Sequence, residues 1–340
     1  MKNKENLPIG IGGDKLAEGR ETLPAVEVKN VVEWVNPHLQ LPFDLREGKP
    51  SKLGMFLTQE DYPEDGYELE VHRQHKRSGI IGHVIFKDDE GRLYRDVDVK
   101  GIGYAFNDYY NPRLAVRPPV PHERNKESTW GILDEGYARS DIDMSEKFLK
   151  AGIRTHRDIA LIKLNEIIGS GGRRMGIKEA KEAGNLRSED EPVVLVRAFG
   201  TRMRLEDAYD KRELIEDARL LVAQELGLDP KKFNTTDYLI WLTKTTAQNI
   251  ARMHKHGWLH GYLSDHNITL DGRIVDLDSV VTEKEALREV DDEKRKSRGE
   301  DYGRAEENIM EFLGTHVSDV SLNGLRNIFL KDYNDELGRR

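Results

Sequence analysis

The sequence predicts an α+β protein of two lobes, a β-rich N-terminal lobe followed by a mainly helical C-terminal lobe. Runs of β-branched and aromatic residues bounded by turn signals lie almost entirely before residue 200. Beyond residue 204, apolar residues recur at the spacing of amphipathic helices instead. Strands followed by helices, rather than alternating with them, favour an α+β fold over repeated βαβ units. The 340 residues are enough for two such lobes.

We divide the chain into three parts on this basis. Residues 1–50 form an N-terminal extension of partly irregular structure, residues 51–204 the β-rich lobe, and residues 205–340 the helical lobe. The extension contains a glycine-rich run at residues 10–13, but no strand pattern precedes it and no helix pattern follows. We therefore interpret this run as a turn and not as a phosphate-binding loop.

The β-rich lobe begins with a predicted hairpin. Residues 80–86 and 93–100 are β-type segments separated by a polar turn that contains glycine, and the second segment ends at Lys100. Residues 141–151 predict a helix that ends at Gly152, a residue suited to the left-handed conformation after a helix. Two further strands are expected at residues 159–167 and 192–197. A glycine- and charge-rich insertion separates them at residues 169–191.

The helical lobe is predicted from apolar periodicity. Residues 205–226 and 235–256 each place apolar side chains on one helical face, and Gly257 ends the second helix. Two charged helices are expected at residues 283–296 and 302–313. Residues 260–278, which lie between these two pairs of helices, are predicted to contain a hairpin.

Composition excludes several classes of protein. A net charge of −9 argues against a general nucleic-acid binder. No segment approaches the ~20 apolar residues of a membrane span, so no membrane partner is expected. The chain has no cysteine and hence no disulfide or thiolate site. Because no apolar leader is visible at the start of the sequence, we expect a cytoplasmic protein.

The most informative segment is residues 260–278. Asp271-Gly272 predicts a two-residue turn between short strands, which pairs Ile268 with Val275 and sets Asn267 opposite Asp276. An amide oxygen and a carboxylate side by side suit Mg²⁺ or Mn²⁺ with room for phosphate oxygens. The alternative is an ordinary surface hairpin whose ends these two side chains cap.

Four histidines in and before this segment raise the question of zinc. His254 and His256 lie on different faces of one predicted helix, so they cannot share an ion. His260 and His266 lack a second cluster of His, Asp or Glu at ligand spacing. We therefore expect no zinc site.

The order and spacing of several segments resemble the selenoprotein O family of protein adenylyltransferases, over about residues 75–280. No single motif is decisive. The matching positions are His260-Gly261, Asn267 and Asp276; Val99-Lys100-Gly101-Ile102-Gly103; Ser145-Glu146 with the following Ala151-Gly152-Ile153; Arg197 and Arg204, seven residues apart; and Arg77, five residues before Gly82.

The resemblance implies a protein-kinase-like fold that binds ATP with Mg²⁺ or Mn²⁺ and transfers AMP to Ser, Thr or Tyr hydroxyls of a protein substrate. Asp141, or else Glu146, would orient Lys100. The nucleotide site implied by the resemblance comprises Arg77, Lys100, Gly131, Asp141, Arg197 and Arg204. The implied metal ligands are Asn267 and Asp276, and Asp278 could add a second carboxylate or be a solvated turn residue.

The match departs from the family at the general base. The family has an aspartate immediately before the metal-binding asparagine, and this chain has His266 there, with Asp265 one residue earlier. Either residue could act as the base, since an imidazole titrates near pH ~6.5. Two alternatives to adenylyl transfer therefore stay open, a kinase-like phosphotransferase and a nucleotide-binding pseudokinase without turnover.

Overall fold

The computed structural model of the chain describes residues 20–39, 44–59, 64–72, 76–107, 114–122, 129–289, 296–316 and 321–339. The strands are β1 Arg20–Glu27, β2 Asn30–Val35, β3 Met55–Leu57, β4 Gly66–His72, β5 Ser78–Lys87, β6 Leu93–Lys100, β7 Tyr104–Asn107, β8 Leu114–Arg117, β9 Val120–Pro121, β10 Thr129–Trp130, β11 Leu133–Asp134, β12 Arg157–Leu164, β13 Glu166–Ile168, β14 Arg174–Gly176, β15 Pro192–Phe199, β16 Trp258–Leu259 and β17 Val281–Thr282. The α-helices are α1 Glu135–Lys150, α2 Ile177–Glu182, α3 Arg212–Leu226, α4 Thr235–Lys255, α5 Glu283–Ala286, α6 Arg298–His316 and α7 Leu322–Gly338.

A large antiparallel sheet forms the first part of the fold. Its strands follow the order β2-β12-β15-β6-β5-β4-β1-β3, and β11 pairs with the start of β15. Every residue of β6 and β15 is buried, as expected for central strands with neighbours on both sides. Helix α1 packs on β12 and β15. The fold is thus a mixed α+β arrangement with an antiparallel sheet.

The second part of the fold is helical and has its own hydrophobic cluster. Helix α4 begins at the N-cap Asn234, whose side chain accepts a hydrogen bond from the Asp237 amide. Its apolar face, with Leu242 and Ile250 fully buried, packs against α6 and α7. Among the described residues, no helix combines the length and the apolar character that crossing a bilayer requires.

Several predicted elements are confirmed with shifted ends. The β5–β6 hairpin and α4 match the prediction closely. Helix α1 ends as predicted but begins six residues earlier, because the Asp134 side chain caps it by accepting from the Gly136 amide. The expected helix over 205–226 is a 3₁₀ turn at Leu205–Ala208 followed by α3, since Asp210 between them has φ +61°.

Other expectations are corrected. The predicted extension contributes β1 and β2 to the large sheet, and the glycine run at 10–13 lies outside the described residues. The insertion at 169–191 contains β14 and α2. The helix expected over 283–296 ends at Ala286, and residues 290–295 also lie outside the described part.

The predicted hairpin at 267–276 has a different register. Ile268 bridges Ile274 instead of Val275, and the Val275 amide donates to the Asn267 carbonyl at 3.1 Å. Only Gly272 of the turn pair has positive φ, so the turn is not the expected two-residue type. The Thr269 hydroxyl explains the change, because it donates to Asp271 at 2.6 Å and accepts from the Arg273 amide at 3.0 Å.

This turn is buried, although the alternative interpretation expected a surface hairpin. Helix α4 supplies donors for its carbonyls: Asn249 Nδ2 donates to Gly272 at 2.8 Å and the Tyr238 hydroxyl to Leu270 at 2.6 Å. The segment after β15 pairs with it from the other side, where the Leu270 amide donates to Met203 at 2.8 Å. The segment is therefore held between the sheet and α4.

Arg273 makes the strongest connection between this segment and the sheet. Its fully buried guanidinium pairs with Asp271 at 2.6 Å. The same group donates to the Leu93 carbonyl at 2.7 Å and the Thr155 carbonyl at 2.8 Å, at the starts of β6 and β12. It also lies 3.4 Å from Glu225 of α3. One side chain thus joins four parts of the chain.

We expect Arg273→Met to lower the free energy of unfolding by about 3–5 kcal/mol, because it leaves buried Asp271 with only the more distant Arg154, at 3.9 Å, and leaves two carbonyls without this donor. Urea unfolding followed by circular dichroism measures this. The matched control is Arg46→Met, which removes an exposed pair with Asp44 and should change stability by less than about 0.5 kcal/mol. Equal effects of the two substitutions would contradict the role assigned to Arg273.

Candidate functional site

A cavity of about 270 Å³ opens between the sheet and the segment that carries the predicted metal ligands. Its walls come from the ends of β5, β6 and β15, the chain after β15, and the 260–278 segment. The lining residues are Lys76, Arg77, Ser78, Asp98, Lys100, Tyr104, Arg197, Phe199, Arg202, Arg204, His266 and Asp276. Six of these side chains are cationic and two are carboxylates, so the cavity carries an excess of positive charge.

Lys100 lies at the end of β6, and its ammonium meets three carboxylates. Nζ is 3.2 Å from Asp276, 3.4 Å from Asp278 and 3.9 Å from Asp141 of α1. Burial by itself would lower the pKa of Lys100, but the three carboxylates outweigh burial and raise it. The ammonium therefore stays charged. Glu146, the other predicted partner of this lysine, pairs with Arg157 instead.

The predicted metal ligands contact two cations of the cavity, Asp276 at Lys100 and Asn267 at Arg204. The Asn267 amide group donates to the Tyr262 carbonyl at 2.8 Å, which turns its Oδ1 toward Arg204 Nη1, 3.5 Å away. Asp276 has φ +67°, a conformation rare outside glycine. Lys100, assisted by Arg204, holds the pKa of the Asp276 carboxyl well below its usual range.

These groups fit a small divalent cation in donor chemistry. Asn267 and Asp276 offer hard oxygen atoms, and Asp278 offers another on the 3₁₀ turn Leu277–Ser279. The side chains of Asp276 and Asp278 keep 37% and 22% of their surface exposed, which leaves room for ligands from solvent or substrate. The ammonium of Lys100 pairs with both carboxylates and compensates their negative charge.

The loop before Asn267 is fixed by buried polar groups. The Asp301 carboxylate of α6 accepts from the amides of His260 and Gly261 at 2.8 and 2.6 Å. His260 Nε2 donates to the Val275 carbonyl at 2.9 Å, and burial lowers the pKa of His260 despite that bond. The imidazole is therefore neutral and structural. It ties the start of the loop to the residue before Asp276.

Three buried arginines follow one another along the cavity wall. Arg197 forms two hydrogen bonds with Asp98 at 3.0 and 2.8 Å and one with Ser78 at 3.3 Å. Arg202 lies 3.4 Å from the same carboxylate. Arg204 donates to the His266 carbonyl; burial lowers the pKa of Arg204, with Asp276 opposing that effect. Two guanidinium groups therefore share Asp98.

His266 faces the cavity with a carboxylate partner behind it. Its Nδ1 is hydrogen-bonded to Glu206 on the 3₁₀ turn Leu205–Ala208. A carboxylate accepts only from a protonated nitrogen, so this bond places a proton on Nδ1. Asp265, the other predicted base, is not among the lining residues.

A second charged cluster lies behind Lys100. Asp141, His156 and Asp158 are fully buried, and His156 Nε2 is 3.2 Å from Asp141 and 3.6 Å from Asp158. Burial alone would lower the pKa of His156, but the two carboxylates raise it to about 9. This imidazole is charged at neutral pH.

The structure brings most of the predicted residues together at one place. Arg77, Lys100, Arg197, Arg204, His266 and Asp276 line the cavity, and Asn267, Asp278 and Asp141 contact one of these residues. Gly131 adopts φ +87° between β10 and β11, away from the lining, and its role stays a prediction.

Sequence reasoning missed Asp98, Arg202, Glu206 and His156. A signal for Asp98 was present, because Asp96, Asp98 and Lys100 alternate along β6 and so share one face of the strand. For Arg202, Glu206 and His156 no local pattern distinguishes them from surface residues.

Comparisons with known proteins add little. No protein-family model matches the sequence, and no curated protein matches it. Among solved structures, the kinase domain of a Toxoplasma gondii specific rhoptry antigen is similar over 78% of this chain and 75% of that chain, at 11% identity and a TM-score of 0.33. A likeness this low carries no argument about the present chain.

We expect Lys100→Met to destabilise the protein by about 3 kcal/mol, because Asp276, Asp278 and Asp141 then lose their shared cation. Millimolar Mg²⁺ should restore much of the loss, since a divalent ion can compensate the first two carboxylates. Thermal unfolding with and without MgCl₂ tests both effects.

The matched control is Lys163→Met. Lys163 also faces three carboxylates, Glu33, Glu135 and Glu191, at 3.9, 3.5 and 3.3 Å, but 31% of its side chain is exposed. Lys163→Met should lower the free energy of unfolding by less than about 1 kcal/mol, and Mg²⁺ should not change the stability of this variant. A Lys100 variant that is as stable as wild type in both conditions would show that the carboxylates do not depend on this ammonium.

Proposed function

We propose that this chain is an ATP-dependent transferase with a protein-kinase-like arrangement, which uses Mg²⁺ or Mn²⁺ and transfers AMP to hydroxyl groups of proteins. The observation that carries the proposal is the meeting of Lys100, Asp141, Asn267 and Asp276 around one cationic cavity. These side chains come from β6, α1 and the 260–278 segment.

Protein kinases place a lysine, an acidic residue, an asparagine and an aspartate around ATP. A strand lysine contacts phosphates and pairs with an acid of the following helix, while an asparagine and an aspartate hold the metal ions. Here Lys100 ends a central strand, and Asp141 lies on the next long helix at 3.9 Å. The acid is an aspartate and the distance is long, so the pair is looser than a direct hydrogen bond.

The charge of the cavity supports a polyphosphate as its ligand. The cationic residues that line the cavity include Arg77, Arg197 and Arg204, the three arginines expected to bind phosphates. Guanidinium groups bind phosphate oxygens through paired N–H donors. The lining cations outnumber the lining carboxylates, and an anion of high charge density would compensate this excess.

Asn267, Asp276 and Asp278 would hold the metal ion. When bound, such an ion would supply positive charge that compensates the phosphate groups. The rest of the site acts through its own side chains. Lys100 and the arginines orient the triphosphate, and the buried position of the lysine makes its charge more effective than it would be in water.

His266 supplies the proton acceptor in this proposal. The attacking hydroxyl oxygen forms a bond to the α-phosphorus, the bond from that phosphorus to the β-phosphate bridging oxygen breaks, and pyrophosphate leaves. The hydroxyl proton moves to Nε2 of His266, and Glu206 stabilises the resulting imidazolium through Nδ1. This pair takes over the function expected of an aspartate before Asn267.

We expect the protein to become labelled when incubated with ATP carrying ³²P at the α-phosphate and with MgCl₂, either on itself or on proteins of a lysate. Asp276→Asn should lower this labelling by about 100-fold. The substitution removes a proposed ligand of the metal ion, and with the ion the phosphates lose positive charge that would compensate them. The control Asp335→Asn changes an exposed carboxylate on α7 and should leave labelling intact.

The label position separates the alternatives. Transfer only from ATP labelled at the γ-phosphate would replace the proposal with a phosphotransferase. Stabilisation by ATP with Mg²⁺ and no transfer of either label would make the protein a nucleotide-binding pseudoenzyme. No stabilisation by any nucleotide would reject ATP as the ligand.

We expect His266→Ala to lower kcat by about 10²–10⁴ with little change in KM, as removal of a general base does. Glu206→Gln should lower kcat by less, because His266 remains as the base and loses only the carboxylate that stabilises its imidazolium. Initial rates of AMP transfer over a range of ATP concentrations measure both.

Two further variants serve this test. His256→Ala changes an exposed histidine stacked on Trp258 and should be neutral. Asp265→Asn examines the other candidate base; a larger loss of kcat for this variant than for His266→Ala would assign the base to Asp265.

A further inference from the structure

The buried cluster behind Lys100 contains more charge than the proposed reaction uses. Asp141 lies on α1, Asp158 on β12, and His156 just before β12, and all three are at most 1% exposed. Two carboxylates at full burial are costly unless a cation accompanies them. His156 is an ionisable group that pairs with both, at 3.2 Å from Asp141 and 3.6 Å from Asp158.

The hydrogen bonds of Thr155 fix the protonation of this histidine. The Thr155 hydroxyl donates to the Ile274 carbonyl at 2.6 Å, so its oxygen can only accept from His156 Nδ1, 3.4 Å away. Nδ1 therefore carries a proton. Nε2 faces two carboxylates, and an unprotonated nitrogen lone pair there would be repelled by both. Both ring nitrogens are accordingly protonated.

The cluster also ties α1 to the sheet. The Ser145 hydroxyl of α1 donates to Asp158 at 2.7 Å, and His156 reaches Asp141 one helical turn earlier. Lys100 cannot by itself fix Asp141, because its ammonium lies nearer to Asp276 and Asp278.

We propose that His156 is a positioning residue, whose imidazolium holds Asp141 and helix α1 in the orientation that presents this carboxylate to Lys100. This role deepens the proposed function and rests on it. If Asp276 and Asp278 bind a metal ion, Lys100 loses two of its three carboxylates, and Asp141 becomes the acid that keeps the ammonium beside the phosphates. His156 keeps Asp141 available for that exchange.

The test separates positioning from stability with a charge-balanced pair of variants. His156→Gln leaves two buried carboxylates without a cation. It should lower the melting temperature, speed amide hydrogen exchange in α1 and weaken binding of ATP with Mg²⁺ by about 10-fold to 100-fold, the range found when groups that orient a ligand residue are removed. The double variant H156Q/D158N removes one carboxylate and should regain much of the stability.

The double variant decides the proposal. Positioning predicts that its affinity for ATP with Mg²⁺ stays about 10-fold weaker than wild type, although its melting temperature recovers. Recovery of affinity together with stability would show that His156 only balances charge, and would overturn the proposal. Asp143→Asn, an exposed aspartate on the same helix that pairs with Lys147, is the matched control and should match wild type in every measurement.

Two other results would also overturn it. Nitrogen-15 spectra that show a neutral His156 at pH 7 would remove the imidazolium. A stoichiometric metal in the purified protein, lost on Asp158→Asn, would assign the cluster to a cation instead. If wild type fails to bind ATP with Mg²⁺, the proposed function falls, and hydrogen exchange in α1 of His156→Gln still decides whether this histidine holds the helix.

Discussion

The pairing of Arg273 with Asp271 in the interior sets the position of the candidate site. The segment around this pair makes isolated bridges and no continuous strand, so backbone pairing alone cannot define its path. The guanidinium supplies the missing constraint, because it binds carbonyls at the starts of β6 and β12 as well as the turn carboxylate. Asp276 lies close to this anchor in sequence, and its placement beside Lys100 follows from it.

Further buried ion pairs lie along β6, between Arg273 and the cavity. Arg95 pairs with Asp96 and with Asp217 of α3 at 2.8 and 2.9 Å, which joins the strand to the helical part. Asp98 then binds Arg197, and Lys100 ends the strand among carboxylates. Deep in the sheet each charge is matched, whereas at the cavity the cations exceed the anions. The excess of cations among the lining residues supports the polyanionic ligand proposed for the cavity.

Hydrophobic periodicity predicted the elements that packing alone decides. The β5–β6 hairpin and α4 have alternating or helical apolar patterns, and both were found close to the expected bounds. Elements set by side-chain hydrogen bonds were not predictable in this way. The turn at Asp271 changes register because Thr269 bonds within it, and the break before α3 depends on one left-handed residue, Asp210. Neither effect leaves a periodic signal.

The residues of the candidate site also differ in how far the sequence could predict them. Asn267 and Asp276 were predicted as neighbours from an expected pairing that proved wrong by one residue, and yet Asp276 lines the cavity and Asn267 contacts Arg204, which also lines it. Asp276 adopts a left-handed backbone conformation, which no periodic pattern predicts. Partners such as Glu206 and His156 were not predictable, because each acts across a distance in sequence that no local pattern records. His266 with Glu206 could not be identified until the 3₁₀ turn brought them together.

The three carboxylates around Lys100 give the site two ways to satisfy one ammonium. Asp276 and Asp278 lie on the segment fixed by Arg273, and Asp141 lies on a helix fixed by His156 and Asp158. A lysine with partners on two independently anchored elements can exchange one for the other by rotating its own side chain, which costs far less than moving a strand or a helix. The backbone of the site can therefore stay rigid while its charge pairing changes, which is the condition that transfer chemistry based on positioning requires.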